Sequence, residues 1–191
     1  NTFMFTHRSM SILGLLIALS FFMGCIAQSR NINQQEILKR KKVAVFPFYN
    51  ISGRKEAGKI IANIFVAEIF KDGRYYVEEP GNILQFIIQE RIDTLGEIQI
   101  ERLKILNKRF GIDAVIIGTV EEFDEARGGG AIPAVSIFAR MIEANSGQLV
   151  WSAQNRKKGD DYVIILDLGE VRSITAVAQK VVKEMISTIK W

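Results

Sequence analysis

Histidine and cysteine are nearly absent from this chain of 191 residues, which has one of each, His7 and Cys25. Residues 26–191 therefore contain neither. Their absence there excludes zinc sites of cysteine and histidine, histidine-based catalytic triads and cysteine nucleophiles. A single cysteine also excludes a disulfide within one chain. An enzyme of this sequence would depend on carboxylate, lysine, serine or tyrosine groups alone, and we predict a protein that is not an enzyme and uses no metal or cofactor.

An excess of charge of one sign is also missing. The 25 Lys and Arg residues nearly balance the 21 Asp and Glu residues, the formal net charge is +4, and both signs are mixed along the chain. The densest basic stretch, Leu38–Lys42, precedes the first predicted strand, which is typical of a solvated linker end beside a membrane surface. Nucleic-acid binding needs clustered contacts to phosphates, so no nucleic-acid partner is expected.

Long hydrophobic runs are limited to one, Ile12–Gly24, whose thirteen residues are uncharged and nearly all apolar. A membrane-spanning helix needs ~20 such residues, whereas the apolar part of a secretory signal needs ~7–15. His7 and Arg8 supply a short basic region before the run, and Met4 or Met10 is the expected start. The run is therefore interpreted as a signal peptide, with an uncleaved anchor and a buried core helix as the alternatives.

The end of this run resembles a bacterial lipoprotein signal, whose box reads aliphatic, small, Gly or Ala, Cys. Here the box is Phe22-Met23-Gly24-Cys25, in which the last two residues match and the first two are looser. The resemblance implies that Cys25 is the site of lipid attachment. Because isoleucine rather than aspartate follows Cys25, resemblance to known sorting rules implies the outer membrane. The chain then divides into a signal peptide (1–24), a lipidated tether (25–41) and a periplasmic domain (42–191).

Residues 42–191 predict a single α/β domain with a mixed sheet, in the order β-α-β-α-α-β-β-β-α. Lys42–Phe48 is a continuous apolar run, typical of a strand buried on both faces. The helical crossovers that follow require parallel strands, whereas Asn145–Gly147 marks a hairpin and so an antiparallel pair. Further strands are predicted at Tyr75–Glu79, Asp113–Phe123, Ala134–Ala144 and from Gln148 onward, and helices after Ser52, after an N-cap at Asn82, before Gly111 and over Val171–Lys190.

Several motifs resemble the curli-secretion-channel (CsgG) family over residues 42–190. They are VAVFPF followed by NISG, the helix end KDGRYYVEE, the segment RFGIDAVIIGTV and the hairpin IEANSGQLVWSA. The resemblance extends to the N-terminal domain of TolB and to lipoprotein activators of peptidoglycan synthases. It implies an outer-membrane lipoprotein that faces the periplasm, binds envelope or secretion proteins, or copies of itself, and serves envelope biogenesis or secretion.

Curli-channel subunits each contribute two hairpins to a transmembrane barrel, and a membrane strand needs ~9–11 residues. Glu121–Pro133, the segment at the first hairpin position, is acidic, rich in glycine and too short. We therefore expect a relative without the membrane hairpins. Two other functions stay open: a ring-forming secretion channel, and a hydrolase of cell-wall glycans that uses carboxylates such as Glu121 and Asp160.

Four further groups of residues invite a functional interpretation. Gly128–Gly130 lacks the flanking residues of a phosphate-binding loop and is interpreted as a turn or strand bulge. Asp160, Asp161 and Asp167 do not have the spacing of a calcium-binding loop and are interpreted as solvated. Trp151 and Phe86 are the candidate partner-binding residues, with a core position as the alternative for Trp151. Trp191 raises the same question.

Overall fold

The apolar run that follows the tether forms one of the inner strands of a six-stranded mixed sheet. A computed structural model of the chain describes residues 40–93, 98–125, 132–163 and 169–191. The predicted signal peptide and most of the tether lie outside these residues. The strands are β1 (Lys42–Val45), β2 (Tyr49–Asn50), β3 (Tyr76–Val77), β4 (Ala114–Asp124), β5 (Ala134–Glu143) and β6 (Leu149–Lys158). The helices are α1 (Ala57–Asp72), α2 (Pro80–Gln89), α3 (Ile100–Phe110) and α4 (Ile174–Ser187), with a 3₁₀ turn at Gly159–Tyr162.

The strand order is β3-β1-β4-β5-β6, and β2 pairs with β4 beyond the end of β1. The pairs β1–β3, β1–β4 and β2–β4 are parallel, whereas β4–β5 and β5–β6 are antiparallel. Helices lie along the chain between the parallel strands β1, β3 and β4, as parallel pairing requires, and the turn at Asn145–Gly147 joins the antiparallel strands β5 and β6. The mixed α/β class predicted from the sequence is confirmed.

The sheet separates two hydrophobic cores. In β1, Val43 and Val45 face one core, and Ala44 faces the other together with Phe46, so the prediction of a strand buried on both faces is confirmed. The larger core is completed by α1 and α4, chiefly through Ile61, Phe65, Ile69, Val177, Val181 and Met185. The smaller core is completed by α2 and α3, chiefly through Ile83, Phe86, Ile87, Leu103 and Leu106.

Glycine ends two of the helices where the sequence predicts. Gly73 follows α1 with φ 75°, and its N–H binds the carbonyl of Ile69. Gly111 follows α3 with φ 68°, and its N–H binds the carbonyl of Asn107. Both residues adopt the left-handed conformation, in which glycine carries no steric penalty.

One predicted cap and several predicted element boundaries differ in the structure. The helix α2 begins at Pro80 with Glu79 as its N-cap, so the N-cap prediction for Asn82 is wrong. Proline suits the first helical position because its missing N–H has no helical partner there, and the Asn82 side chain instead donates to Glu78 at 2.7 Å. The strand β2 is not among the predicted strands, β1 ends before the predicted Phe48, β3 is shorter than the predicted Tyr75–Glu79, and α4 is shorter at both ends than predicted.

The middle of β4 requires a glycine for steric reasons. A Cβ at Gly118 would overlap the backbone carbonyl oxygen of Phe138 on β5 and would lie 2.5 Å from Cε1 of Phe48. Phe48 itself stacks on Phe65 of α1, with ring centroids 5.0 Å apart. The absence of a side chain at Gly118 therefore lets the segment between β1 and β2 pack directly on β4.

We predict that Gly118→Ala destabilises the domain by about 1–3 kcal/mol, the usual cost of overfilling a packed site. Gly81→Ala is the control, because the nearest atom to a Cβ at Gly81 is a flexible carboxylate oxygen 3.8 Å away. Chemical denaturation followed by tryptophan fluorescence measures both, since Trp151 and Trp191 are the only tryptophans. Equal stability of the two variants would contradict the steric role of Gly118.

Candidate interaction surfaces

Phe86, one of the two candidate partner-binding residues, lies in the smaller core. Its side chain is 1% exposed and meets Phe110 of α3 edge to face, with ring centroids 6.1 Å apart. A side chain enclosed in this way has no surface from which to contact a partner. The structure therefore supports a packing role for Phe86, which holds α2 against α3.

Trp151, the other candidate, is also buried. It lies on β6 opposite Met141 and is 9% exposed. Its indole Nε1–H donates to Oγ1 of Thr188 at 2.9 Å, which joins β6 to the end of α4. A buried tryptophan normally has such a hydrogen-bond partner. The core alternative stated for Trp151 is the one that the structure supports.

Two apolar side chains of α2, Leu84 and Ile88, are exposed. Sequence reasoning did not single them out. They are 51% and 67% exposed. Residues four apart lie on one face of a helix, whereas the buried set Ile83, Phe86 and Ile87 lies on another. The spacing of four residues between Leu84 and Ile88 was the sequence signal for this exposed face. The helix α2 therefore has two apolar faces, and only one of them packs against the core.

A β-bulge places two carboxylates on the face of the sheet opposite the larger core. The register of β4 against β5 shifts between Val120 and Glu122. One extra residue in the strand lets Val120 and Phe123 both enter the larger core and directs Glu121 and Glu122 away from it. The hydroxyl of Ser136 on β5 donates to Glu121 at 2.7 Å.

The polar groups continue from these carboxylates to β6. The side-chain amide of Gln154 donates to both carboxylate oxygens of Glu121, at 3.0 and 2.9 Å. The guanidinium of Arg156 donates to Glu122 at 2.7 and 3.2 Å. Because β5 lies between β4 and β6, both sets of contacts reach across a strand. This network holds β4, β5 and β6 together with structural contacts.

The carboxylates considered for hydrolysis do not form a pair in the described contacts. Glu121 binds Ser136 and Gln154 on the sheet, whereas Asp160 lies in the exposed 3₁₀ turn beyond the end of β6. The sheet contacts of Glu121 therefore do not favour the hydrolase alternative.

Asp161 has a local structural role. One of its carboxylate oxygens accepts the backbone N–H of Lys158 at 2.7 Å and so caps the 3₁₀ turn. Within the described ranges, no group of three or more histidine, cysteine, aspartate or glutamate side chains could hold a metal ion. Asp167, Gly128–Gly130 and Cys25, which the sequence also singled out, lie outside the described residues.

The strand β6 forms a long edge of the sheet. It spans ten residues, pairs with β5 on one side and, among the described strands, has no neighbour on the other. The side chains of Ser152 and Gln154 are exposed, and the charged residues Arg156, Lys157 and Lys158 are confined to one end. An edge strand presents unpaired backbone N–H and C=O groups, to which another strand can bind.

The start of β1 is fixed by a partly buried ion pair. Lys42 pairs with Glu78, which is 6% exposed, and also donates to the carbonyl of Phe110 at 2.9 Å. Burial raises the pKa of Glu78, but hydrogen bonds from Lys42 and Asn82 outweigh it and hold that pKa below its usual value. The backbone N–H of Lys42 donates to Asp113 at 2.7 Å. These contacts fix the position at which the tether meets the domain.

Trp191 packs beside the same position. Its ring stacks on Tyr75, with centroids 6.2 Å apart, and the ammonium of Lys41 lies 3.6 Å from its centroid. The hydroxyl of Tyr75 donates to the carbonyl of Trp191 at 2.7 Å. Trp191 therefore joins the last tether residues to the end of α1.

In the part of the chain that the structure describes, no helix is long and apolar enough to cross a membrane.

Comparison with known proteins defines the class of this domain by its fold. No protein-family model matches the chain, and no curated protein matches it. Solved structures do match, and the similarity is one of fold, with sequence identity of 21% or less in the three cases named next.

One match is the PelC dodecamer from Paraburkholderia phytofirmans, with a TM-score of 0.56 and 20% identity over 78% of this chain and 87% of that one. A second is lipoprotein GNA1162 from Neisseria meningitidis, with a TM-score of 0.52 and 21% identity over 78% and 99%. A third is the hypothetical protein CT253 from Chlamydia trachomatis, with a TM-score of 0.50 and 10% identity over 78% and 94%. None of the three is described as a curli channel, so that part of the resemblance stays a prediction.

We predict that Glu78→Gln destabilises the domain by about 2 kcal/mol near neutral pH, because it replaces hydrogen bonds to a charged group. Since the folded pKa of Glu78 is lowered, its contribution is complete above the unfolded pKa and is lost as pH falls through the folded pKa. The difference from the parent chain should therefore shrink in acid below about pH 4. Glu79→Gln, at the exposed residue next to Glu78, is the control. Chemical denaturation of the parent chain and of both variants, near neutral pH and below about pH 4, measures the difference. A difference that does not change with pH would contradict this role.

Proposed function

We propose that this chain is a lipid-anchored protein of the outer membrane, whose α/β domain faces the periplasm and acts in assembly rather than catalysis. The leader that ends at Cys25 supports the anchor, and the fold likeness to a protein described as a lipoprotein agrees with it. The lack of histidine and cysteine in residues 26–191 and the structural use of Glu121 and Asp161 support a role other than catalysis.

The observation that carries the assembly role is the open edge of β6. Its ten residues present backbone groups without a strand partner among the described elements, and addition of a strand to such an edge is a common mode of protein association. A structure of the same fold is described as a dodecamer. We therefore expect β6 to bind a strand of a second copy of this chain, with another envelope protein as the alternative partner.

Lipid attachment predicts that the parent chain, expressed in a bacterium with labelled palmitate, carries the label and that Cys25→Ser does not. The physical reason is that the acyl chains need this thiol and the amino group freed at Cys25. Gel autoradiography measures the label, and Ser29→Ala in the tether is the control that should keep it. A parent chain without label would overturn the anchor.

Assembly through β6 predicts that a photo-crosslinking residue in place of Ser152 gives a product of twice the mass of the chain in intact cells. Ser152 is exposed on β6, and the control position is Lys59, whose side chain is 74% exposed on α1. Immunoblotting compares the two positions. A discrete product of another mass would indicate a different partner, and the same products from both positions would contradict the role of β6.

A further inference from the structure

The tether enters the domain at the end where three helices finish. We name this the tether end and define it by Arg40–Lys42, the last residues of α1, α3 and α4, and the turn between β5 and β6. Lys42 donates to the carbonyl of Phe110 at the end of α3. Arg74, which follows α1, donates to the carbonyl of Ile186 at 2.7 Å, and the N–H of Ala144 before the turn donates to Asp113 at 2.8 Å.

The tether end exposes cations that the fold does not neutralise. Three of its cations have carboxylate partners: Lys42 with Glu78, Lys71 with Glu68 and Arg74 with Asp72. Four more cations of the tether end are exposed and take part in none of the ion pairs among the described residues. They are Lys41, Lys108, Arg109 and Lys190.

The opposite end of the domain carries charges of both signs. β4 ends with Glu121, Glu122 and Asp124, and the turn after β6 begins with Asp160. Arg156 pairs with Glu122, but Asp124 and Asp160 are exposed and form no ion pair with any described residue. Lys55, Lys157 and Lys158 lie at the same end and take part in none of the ion pairs among the described residues, so this end is mixed in charge.

Helix dipoles explain part of the cluster of cations at the tether end. Cations stabilise the C-terminal ends of helices, which accounts for Lys108 and Arg109 in the last turn of α3 as local contributions to folding. Lys190 lies beyond the last turn of α4, which holds no basic residue, so this effect does not account for it. Lys41 precedes a strand, so that explanation does not extend to it. Its ammonium is held over the ring of Trp191 on the outside of the domain.

The tether limits how far the cations can be from the membrane. About 15 residues separate Cys25 from the first described residue, and a fully extended chain of that length spans about 50 Å. The tether end, with its four exposed cations, is thus the end joined to the proposed anchor. Clustered Lys and Arg residues beside a membrane anchor are attracted to anionic lipid headgroups.

We propose that the tether end binds the anionic phospholipid surface of the membrane that carries the Cys25 anchor. This inference rests on the proposed lipidation. The exposed cations contact lipid phosphates, which turns the tether end toward the surface and so fixes the orientation of the domain. The β6 edge then runs along the membrane normal, where other copies anchored in the same membrane can reach it.

The test uses the full lipidated chain on vesicles of phosphatidylcholine alone or mixed with phosphatidylglycerol. Because Cys25 is acylated, a single added cysteine takes a fluorophore, placed either at Asn145 in the turn at the tether end or at Lys55 before α1 at the opposite end. Both side chains are exposed. Nitroxide-labelled lipids quench the fluorophore according to its distance from the bilayer. We expect stronger quenching at Asn145 than at Lys55, and a larger difference on the anionic vesicles.

Paired charge reversals separate lipid binding from a general effect of charge. Lys108→Glu with Arg109→Glu should reduce quenching of the Asn145 probe on anionic vesicles to the level found on neutral ones. Lys55→Glu with Lys59→Glu makes the same change of charge at the opposite end and should leave that quenching unchanged. Raised salt should act like the first pair, because it screens exposed charges. Denaturation confirms that both variants fold.

Two results would overturn the inference. If both probes are quenched equally on anionic vesicles, or if the two charge reversals have the same effect, the tether end does not bind the lipid surface, while the anchor stands. If the chain does not float with vesicles of either composition, the anchor is absent, and the proposed function fails together with this inference.

Discussion

Burial of β4 between two strands and two cores is the constraint on which the rest of the domain depends. β1 and then β2 pair along one side of this strand and β5 along the other. Residues that alternate along its first half enter the larger and the smaller core in turn. Because every layer of the domain contacts β4, its sequence has to satisfy steric, hydrophobic and hydrogen-bonding demands at once. Gly118 and the bulge before Glu122 are where those demands conflict with a regular strand.

The order of helices and strands could be predicted because most of them carry a local signal. The alternation of apolar residues, the glycines at 73 and 111 and the turn at Asn145–Gly147 each act within a few residues of the chain. β2 could not be predicted in this way, since its two residues show no alternation and pair as a strand only with β4 among the described elements. The start of α2 was missed because Asn82 is a plausible cap in isolation, while the structure uses Pro80.

The interaction surfaces were harder to predict than the fold. Phe86 and Trp151 are large aromatic residues, which suit either a core or an interface, and only the packing of α2 and α4 decides that both are buried. The register shift that turns Glu121 and Glu122 to the same face has no local signal either. The ion pair of Lys42 with Glu78 joins residues that are far apart in the sequence but adjacent on paired strands. The predictions of a signal peptide and of lipid attachment at Cys25 depend on short-range sequence patterns and not on the fold.

The way in which β1 receives the tether has a mechanical consequence. β1 lies between β3 and β4, with hydrogen bonds to both, and the chain leaves from its first residue. A pull on the tether is directed along the strand, so the hydrogen bonds on both sides and the contacts of Lys42 bear the load together and would have to break in shear. A strand at the edge of the sheet, loaded from one end across its bonds, would instead be peeled away one bond at a time. The position of β1 thus makes the junction between the proposed anchor and the domain resistant to force.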